Sequence, residues 1–234
     1  MNKPVLILTR PAPGSEAFWR DLPGDLRDRV TPVISPLMRI EPLSVSVNLT
    51  GVAGVIFTSA NGVAFGPESG DIPAYCIGTR TTAKAQSAGW SAVMTGQNAD
   101  ELIKALQGHQ PQTPLLHITG RHQRGDIAER LSHAGVATQA RAVYDQILLP
   151  LTPQARAALS DDRPKIVPLF SPRTAQHFIT SCPDPSNVIV IALSDAVAYM
   201  VENSGARAVM VAPDPNAASL ISQLETVLNW PSLA

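Results

Sequence analysis

The sequence predicts an α/β protein built from two parallel-sheet domains. Three observations predict it: short apolar runs alternate with amphipathic stretches along the chain, most runs are unbroken, and the whole pattern recurs once. Strand–helix–strand alternation is the mark of parallel sheets, and unbroken apolar runs mark strands covered on both faces. At 234 residues the chain has room for one large domain or two of ordinary size.

Taken in order, the strand candidates are Val5–Thr9, Val30–Ile34, Gly54–Phe57, Ala74–Ile77, Ala92–Thr95, Leu115–Thr119, Ala137–Arg141, Ile166–Phe170, Val188–Leu193 and Ala208–Ala212. Helical spacing lies between them. Thr81–Ala88 follows a glycine turn, and Ala99–Gln107 carries Leu102, Ile103 and Leu106 on one face. Gln123–Ala134 and Asp195–Asn203 read similarly, and Gly89, Gly135 and Gly205 fall where helix C-caps belong.

Composition narrows the function classes. The apolar fraction is 44%, enough for a core, and the net charge of −1 lacks the basic footprint of a nucleic-acid binder. No apolar run approaches the roughly 20 residues of a membrane helix, and Met1–Arg10 has no signal-peptide pattern. Cys76 and Cys182 form no CxxC pair and read as buried free thiols of a reducing cytosol. His109, His117, His122, His133 and His177 show no metal-binding spacing. A cytosolic, metal-free monomer is expected.

The repeat divides the chain. Phe57-Thr58-Ser59 matches Phe170-Ser171-Pro172, and Ile77-Gly78-Thr79-Arg80-Thr81 matches Ile191 to Asp195. Gly89 with Ala92-Val93-Met94 matches Gly205 with Ala208-Val209-Met210, and Ala99–Ile103 matches Ala217–Ile221. Leu116–Arg121 also echoes Leu6–Arg10, so the N-terminal strand is expected to complete the domain whose other strands come last. Domain 1 would hold residues 1–37 and 147–234, and domain 2 residues 38–146. Two chain crossings, near Leu37–Glu41 and Val143–Gln146, would form a two-stranded hinge.

In parallel sheets ligands bind beyond the carboxyl ends of the strands, where helix N-termini offer free N–H groups. Thr58, Ser59, Thr79, Thr81, Ser171 and Ser194 fall at such ends, and Arg10, Arg80, Arg121, Arg124 and Arg173 follow strand ends. Helix capping accounts for the hydroxyl residues as readily as ligand contact does, and a solvated surface accounts for any one arginine. Two facing sets, one per domain, point to a polyanion held in an interdomain cleft. Gly120–Gly125 lacks the Lys-Ser/Thr of a P-loop, no strand leads into GxGxxG, and there is no GxSxG. Tyr144 sits in the hinge segment, either as a proton donor at the floor of the cleft or as a packing aromatic.

These segments together resemble the uroporphyrinogen-III synthase family. The resemblance covers nearly the whole chain. It rests on Val5-Leu-Ile-Leu-Thr-Arg-Pro11, Ile56-Phe-Thr-Ser-Ala-Asn-Gly-Val63, Ile77-Gly78 with Thr81, the run ending at Gly120, Val143-Tyr144 and Phe170-Ser171-Pro172. It implies two flavodoxin-like parallel-sheet domains joined by a two-stranded hinge. It also implies a cofactor-free hydro-lyase (EC 4.2.1.75) that cyclises hydroxymethylbilane, inverting the last pyrrole ring and losing water. The family is held to assist hydroxyl loss to an azafulvene, after which ring attack passes through a spiro intermediate. The partners implied are this eight-carboxylate substrate and a transient contact with the upstream hydroxymethylbilane synthase, with no nucleic acid and no membrane.

Carried over by position, Tyr144 is the acid or leaving-group partner. Arg10, Thr58, Ser59, Gly78, Thr81, Arg124, Ser171 and Ser194 are substrate-binding. The chain departs from the family pattern at Ala192, where a glycine is expected, and at Asp195, an acid near an anionic ligand. The stretch 64–73 is short, as if a helix were trimmed. A non-catalytic two-domain binder of a small anion and a degenerate homologue are the competing readings.

Overall fold

The computed structural model describes residues 3–123 and 125–231. Its elements run β1 (Val5–Leu8), α1 (Ala12–Asp21), α2 (Gly24–Arg27), β2 (Thr31–Ile34), β3 (Met38–Pro42), β4 (Gly54–Phe57) and α3 (Ala60–Phe65). They continue through β5 (Pro73–Ile77), α4 (Thr79–Ser87), β6 (Ser91–Gly96), α5 (Ala99–His109), β7 (Leu115–Gly120), α6 (Ile127–His133) and β8 (Thr138–Leu148). The last are α7 (Pro153–Leu159), β9 (Lys165–Leu169), α8 (Pro172–Ser181), β10 (Val188–Ala192), α9 (Asp195–Ala198), β11 (Ala208–Val211) and α10 (Ala217–Leu228).

Two compact units result: Met1–Arg39 with Ile147–Ala234, and Ile40–Gln146. Unit 1 contains a five-stranded sheet in the order β11-β10-β9-β1-β2. The six-stranded sheet, read from its far edge, is β6-β5-β4-β7-β8-β3. The two orders correspond strand for strand, with β1 taking in unit 1 the place that β7 takes in unit 2. The ladders β1–β2, β1–β9, β9–β10 and β10–β11 are all parallel, as are β4–β5, β4–β7, β5–β6 and β7–β8. β3 closes the second sheet beside β8, and bonds from Leu43 N–H to Val143 O and from Leu149 N–H to Leu37 O flank the pair in antiparallel register.

Helices cover both faces of each sheet. In unit 1, alternate residues of β1 divide: Val5 and Ile7 pack with α7, α8 and α9, while Leu6 and Leu8 pack with α1, α2 and α10. In unit 2, Val55 and Phe57 face α3 and α4, and Ile56 faces α5 and α6. All four residues of β1 and of β4 are buried. Each such aliphatic side chain contributes roughly 1.5–3 kcal/mol on burial, against about 1 kcal/mol for a helix cap, so the central strands dominate the stability. Pro168 has no N–H to give; the β1 ladder on β9 stops at Leu6–Ile166 while the β10 ladder continues to Ala192–Leu169.

Several expectations need correction. Ala137–Arg141 and the hinge segment after it form one strand, β8. α6 starts at Ile127 rather than Gln123, because Gly125 (φ +82°) and Asp126 (φ +42°) hold the backbone in a left-handed region that ends helical geometry. α9 spans only Asp195–Ala198, so Gly205 (φ +79°) turns the chain into β11 instead of capping that helix. Gly89 and Gly135 do follow the C-caps of α4 and α6, at φ +88° and +84°. Cys76 is buried, but Cys182 is only half-buried. No helix among the described residues is long and apolar enough to cross a membrane.

Candidate functional site

The carboxyl ends of β7, β4 and β5 stand side by side in the second sheet, bringing Gly120, Thr58, Ser59 and Gly78 to one rim. Tyr144, within β8, pairs with Gly120 beside it, after a register shift between Thr119 and Gly120. Its ring lies against the Gly120 backbone: a Cβ at residue 120 would meet ring atoms Cε2 and Cζ at 2.6 and 2.7 Å. Phe65 from α3 flanks the ring, centroids 6.2 Å apart. The side chain is 5% exposed, and its hydroxyl makes no hydrogen bond among the described residues. A fixed ring with an uncommitted phenol can donate to a ligand.

Thr58 follows β4 and its Oγ1 lies 3.2 Å from Nε2 of His117 on β7. Ser59 is the N-cap of α3, its hydroxyl accepting from Asn61 N–H. Gly78 caps α4 with φ +72° and ψ 155°, a conformation essentially confined to glycine. This pivot starts the helix abruptly. The first intrahelical donor is Thr82 N–H to Gly78 O, so the N–H groups of Thr79, Arg80 and Thr81 have no intrahelical acceptor. Such groups at a helix N-terminus attract anions. Thr81 is buried in this turn.

Arg121 donates through its backbone N–H to Tyr144 O, and its guanidinium lies 3.3 Å from Asp145 Oδ2. His122 Nε2 lies 3.6 Å from Asp145 Oδ1. Asp145 thus ties the loop after β7 to the strand that carries Tyr144. Arg80 is exposed on α4, and Arg124 lies outside the described residues.

Unit 1 repeats the arrangement with different chemistry. Ser171 caps α8 with φ −150° and ψ 146°, nearly the angles of Ser59 (φ −152°, ψ 144°). It accepts from Thr174 N–H and lies 2.8 Å from Thr174 Oγ1. Pro172 has no N–H, so the first turn of α8 offers fewer free donors than that of α4. The guanidinium of Arg10 lies over the Phe170 ring, 4.4 Å from its centroid, a cation–π contact that orients it. Ser194 caps α9 without a side-chain bond, and α9 is only four residues long. The glycine expected at Ala192 is not required there: Ala192 ends β10, and Ser194 (φ −163°) is the extended N-cap that corresponds to Gly78.

Two participants escaped the sequence reading. His117 is 2% exposed, and burial pushes its ring down to about 4. Asp145, next to Tyr144, anchors Arg121. A histidine inside the otherwise apolar Leu115–Ile118 run was the available signal for the first, while nothing local marked the second. Burial pushes the Cys76 thiol up to about 11, which keeps it protonated and unreactive.

Two doubly wound units whose strands end in hydroxyl turns and open helix N-termini define an α/β protein suited to an anionic ligand at its strand ends. Solved structures share this fold. A uroporphyrinogen-III synthetase from Helicobacter pylori matches over 97% of this chain and 100% of its own, with a TM-score of 0.71 and 15% identity. A mutant uroporphyrinogen III synthase from Thermus thermophilus matches over 96% and 98%, with a TM-score of 0.54 and 15% identity. No curated protein matches the sequence. The family description uroporphyrinogen-III synthase HemD matches residues 27–222, most of the chain. The chain belongs to the uroporphyrinogen-III synthase family, hydro-lyases (EC 4.2.1.75) that act on a tetrapyrrole substrate in porphyrin biosynthesis.

Proposed function

We propose that the substrate is hydroxymethylbilane, that the rim of the second sheet binds it, and that Tyr144 assists departure of its hydroxyl group. The observation that carries this is the Tyr144 ring seated on Gly120, its phenol without a hydrogen-bond partner among the described residues, on a strand two places from β4 with its hydroxyl turn at Thr58 and Ser59 and three from β5, which leads to the amides of α4. The phenol proton passes to the departing oxygen as the carbon–oxygen bond breaks. The adjacent pyrrole nitrogen supplies the electron pair, giving water and an azafulvenium cation, the N-protonated azafulvene. Tyr144 is then a phenolate in the same site and recovers its proton when the closed macrocycle loses one.

Substrate carboxylates are assigned to the amides of Thr79, Arg80 and Thr81 around Gly78, to Thr58 and Ser59, and to Arg124, which lies outside the described residues. On unit 1, Arg10, Ser171 and Ser194 are the corresponding candidates for carboxylate binding. Ser194 is the weakest of these, since Asp195 places a negative charge beside it. The linear substrate closes spontaneously to the type I isomer, so holding it for the spiro route is an orientation effect. That lability also favours direct transfer from hydroxymethylbilane synthase, and the cytoplasm as the site of action.

The test supplies hydroxymethylbilane, oxidises the products and separates the porphyrin isomers. Predominant type III product, above a protein-free control, is expected. Type I alone from folded protein would leave only binding.

A further inference from the structure

The hydrogen bond between Thr58 and His117 ties a buried ionisable ring to the rim. We propose that His117 is a positioning residue: as the Nε2–H tautomer it donates to Thr58 Oγ1, and so commits the Thr58 hydroxyl proton to a substrate carboxylate. The proposal deepens the reading of the rim given above and rests on it.

The geometry allows either direction of donation, because one ring nitrogen faces one hydroxyl oxygen at 3.2 Å. The other ring nitrogen decides. Nδ1 is buried and has no hydrogen-bond partner among the described residues, and the residue is 2% exposed. A neutral imidazole carries one N–H and one lone pair. With the proton on Nδ1, a donor would be sealed away unpaired; with the proton on Nε2, only a lone pair is left over. Orphaned buried N–H groups are the rarer kind, and a buried group left unsatisfied carries its full desolvation cost. The cationic ring would add a second N–H to the same dry pocket, and burial opposes it.

The consequence falls on Thr58. Its oxygen accepts from the ring, so its own O–H is free to turn outward. Thr58 is only half-buried at the end of β4. Neighbouring Ser59 already uses its oxygen to cap α3. A hydroxyl fixed as a donor suits an acceptor-only carboxylate.

Two measurements test this. Two-bond proton–nitrogen correlation spectra of the labelled full-length protein report the His117 tautomer. Nε2–H is expected, and Nδ1–H or an imidazolium at neutral pH would overturn the proposal. Steady-state kinetics on hydroxymethylbilane test the consequence. His117→Leu and Thr58→Val are each expected to raise KM about five- to tenfold with kcat little changed, the value of one lost hydrogen bond. The double variant should be no worse than either single one, and His117→Gln, whose amide N–H can reach Thr58, should recover most of the loss. Additive single effects, or an unchanged KM for His117→Leu beside a raised one for Thr58→Val, would overturn it. A wild-type protein that yields no type III product overturns the substrate half together with the reading beneath it, whereas the wrong tautomer overturns only the part assigned to His117.

Discussion

Tyr144 occupies the space that a side chain at residue 120 would fill. Gly120→Ala would place a methyl 2.6 Å from the ring, and so must displace Tyr144. Overpacking of this kind costs about 1–3 kcal/mol. Turnover is expected to fall at least about tenfold, from loss of orientation, with the far-ultraviolet circular dichroism spectrum unchanged. Normal turnover would show that the ring position does not matter. His117 sets a separate expectation. Burial holds its ring at about 4 against the ordinary 6.5. Between those values the unfolded chain binds a proton that the folded chain excludes. Its contribution is therefore full above pH 6.5 and is lost as pH falls toward 4, by roughly 3 kcal/mol in all. Urea midpoints across that range should fall steeply for the wild type and less steeply for His117→Gln. Tyr144 drew notice in the sequence because tyrosines are rare here and this one falls in the hinge segment, while its assignment as an acid came from the family resemblance alone. Its support by Gly120 was not legible, because that contact joins positions paired only by the β7–β8 register.

Corresponding elements of the two units solve the same turn in different ways. α5 and α10 both start from asparagine caps, Asn98 accepting from Glu101 N–H and Asn216 from Ser219 N–H. α4 and α9 diverge: Gly78 sits at positive φ, whereas Ser194 is extended. Gly78→Ala is accordingly expected to destabilise by about 1–3 kcal/mol and to raise KM by disturbing the free amides of α4. Ser194→Ala, with no capping bond to lose, should change stability by less than about 0.5 kcal/mol. Thermal denaturation and steady-state kinetics of the two variants check both; equal losses would contradict the difference in backbone geometry. All ten strand candidates correspond to strands, legible because most of the runs are unbroken. Among the helices, α1, α2 and α7 were passed over, being short or proline-led with few apolar positions to show a period, while α3, α8 and α10 were marked only through the repeat and given no range. The start of α6 was misplaced because the turn at Gly125 and Asp126 interrupts an otherwise helical pattern.

At the scale of the whole molecule, the same five-strand order occurs twice, once in a continuous stretch and once assembled from the two ends of the chain. In each unit the polar side chains of interest cluster where parallel strands end. The sequence repeat was readable because both copies end their strands in similar turns. The assignment of an individual carboxylate to an individual donor was not, since much of the rim presents backbone amides that carry no residue signature. Tyr144→Phe removes one oxygen from this arrangement and leaves the ring on Gly120. The most direct measurement is therefore kcat of the Tyr144→Phe variant on hydroxymethylbilane, with the isomers of the product resolved. A fall of about 10²-fold or more with KM little changed, the scale of lost general acid assistance, is the expected result. Wild-type kcat with undiminished type III product would contradict the role assigned to Tyr144.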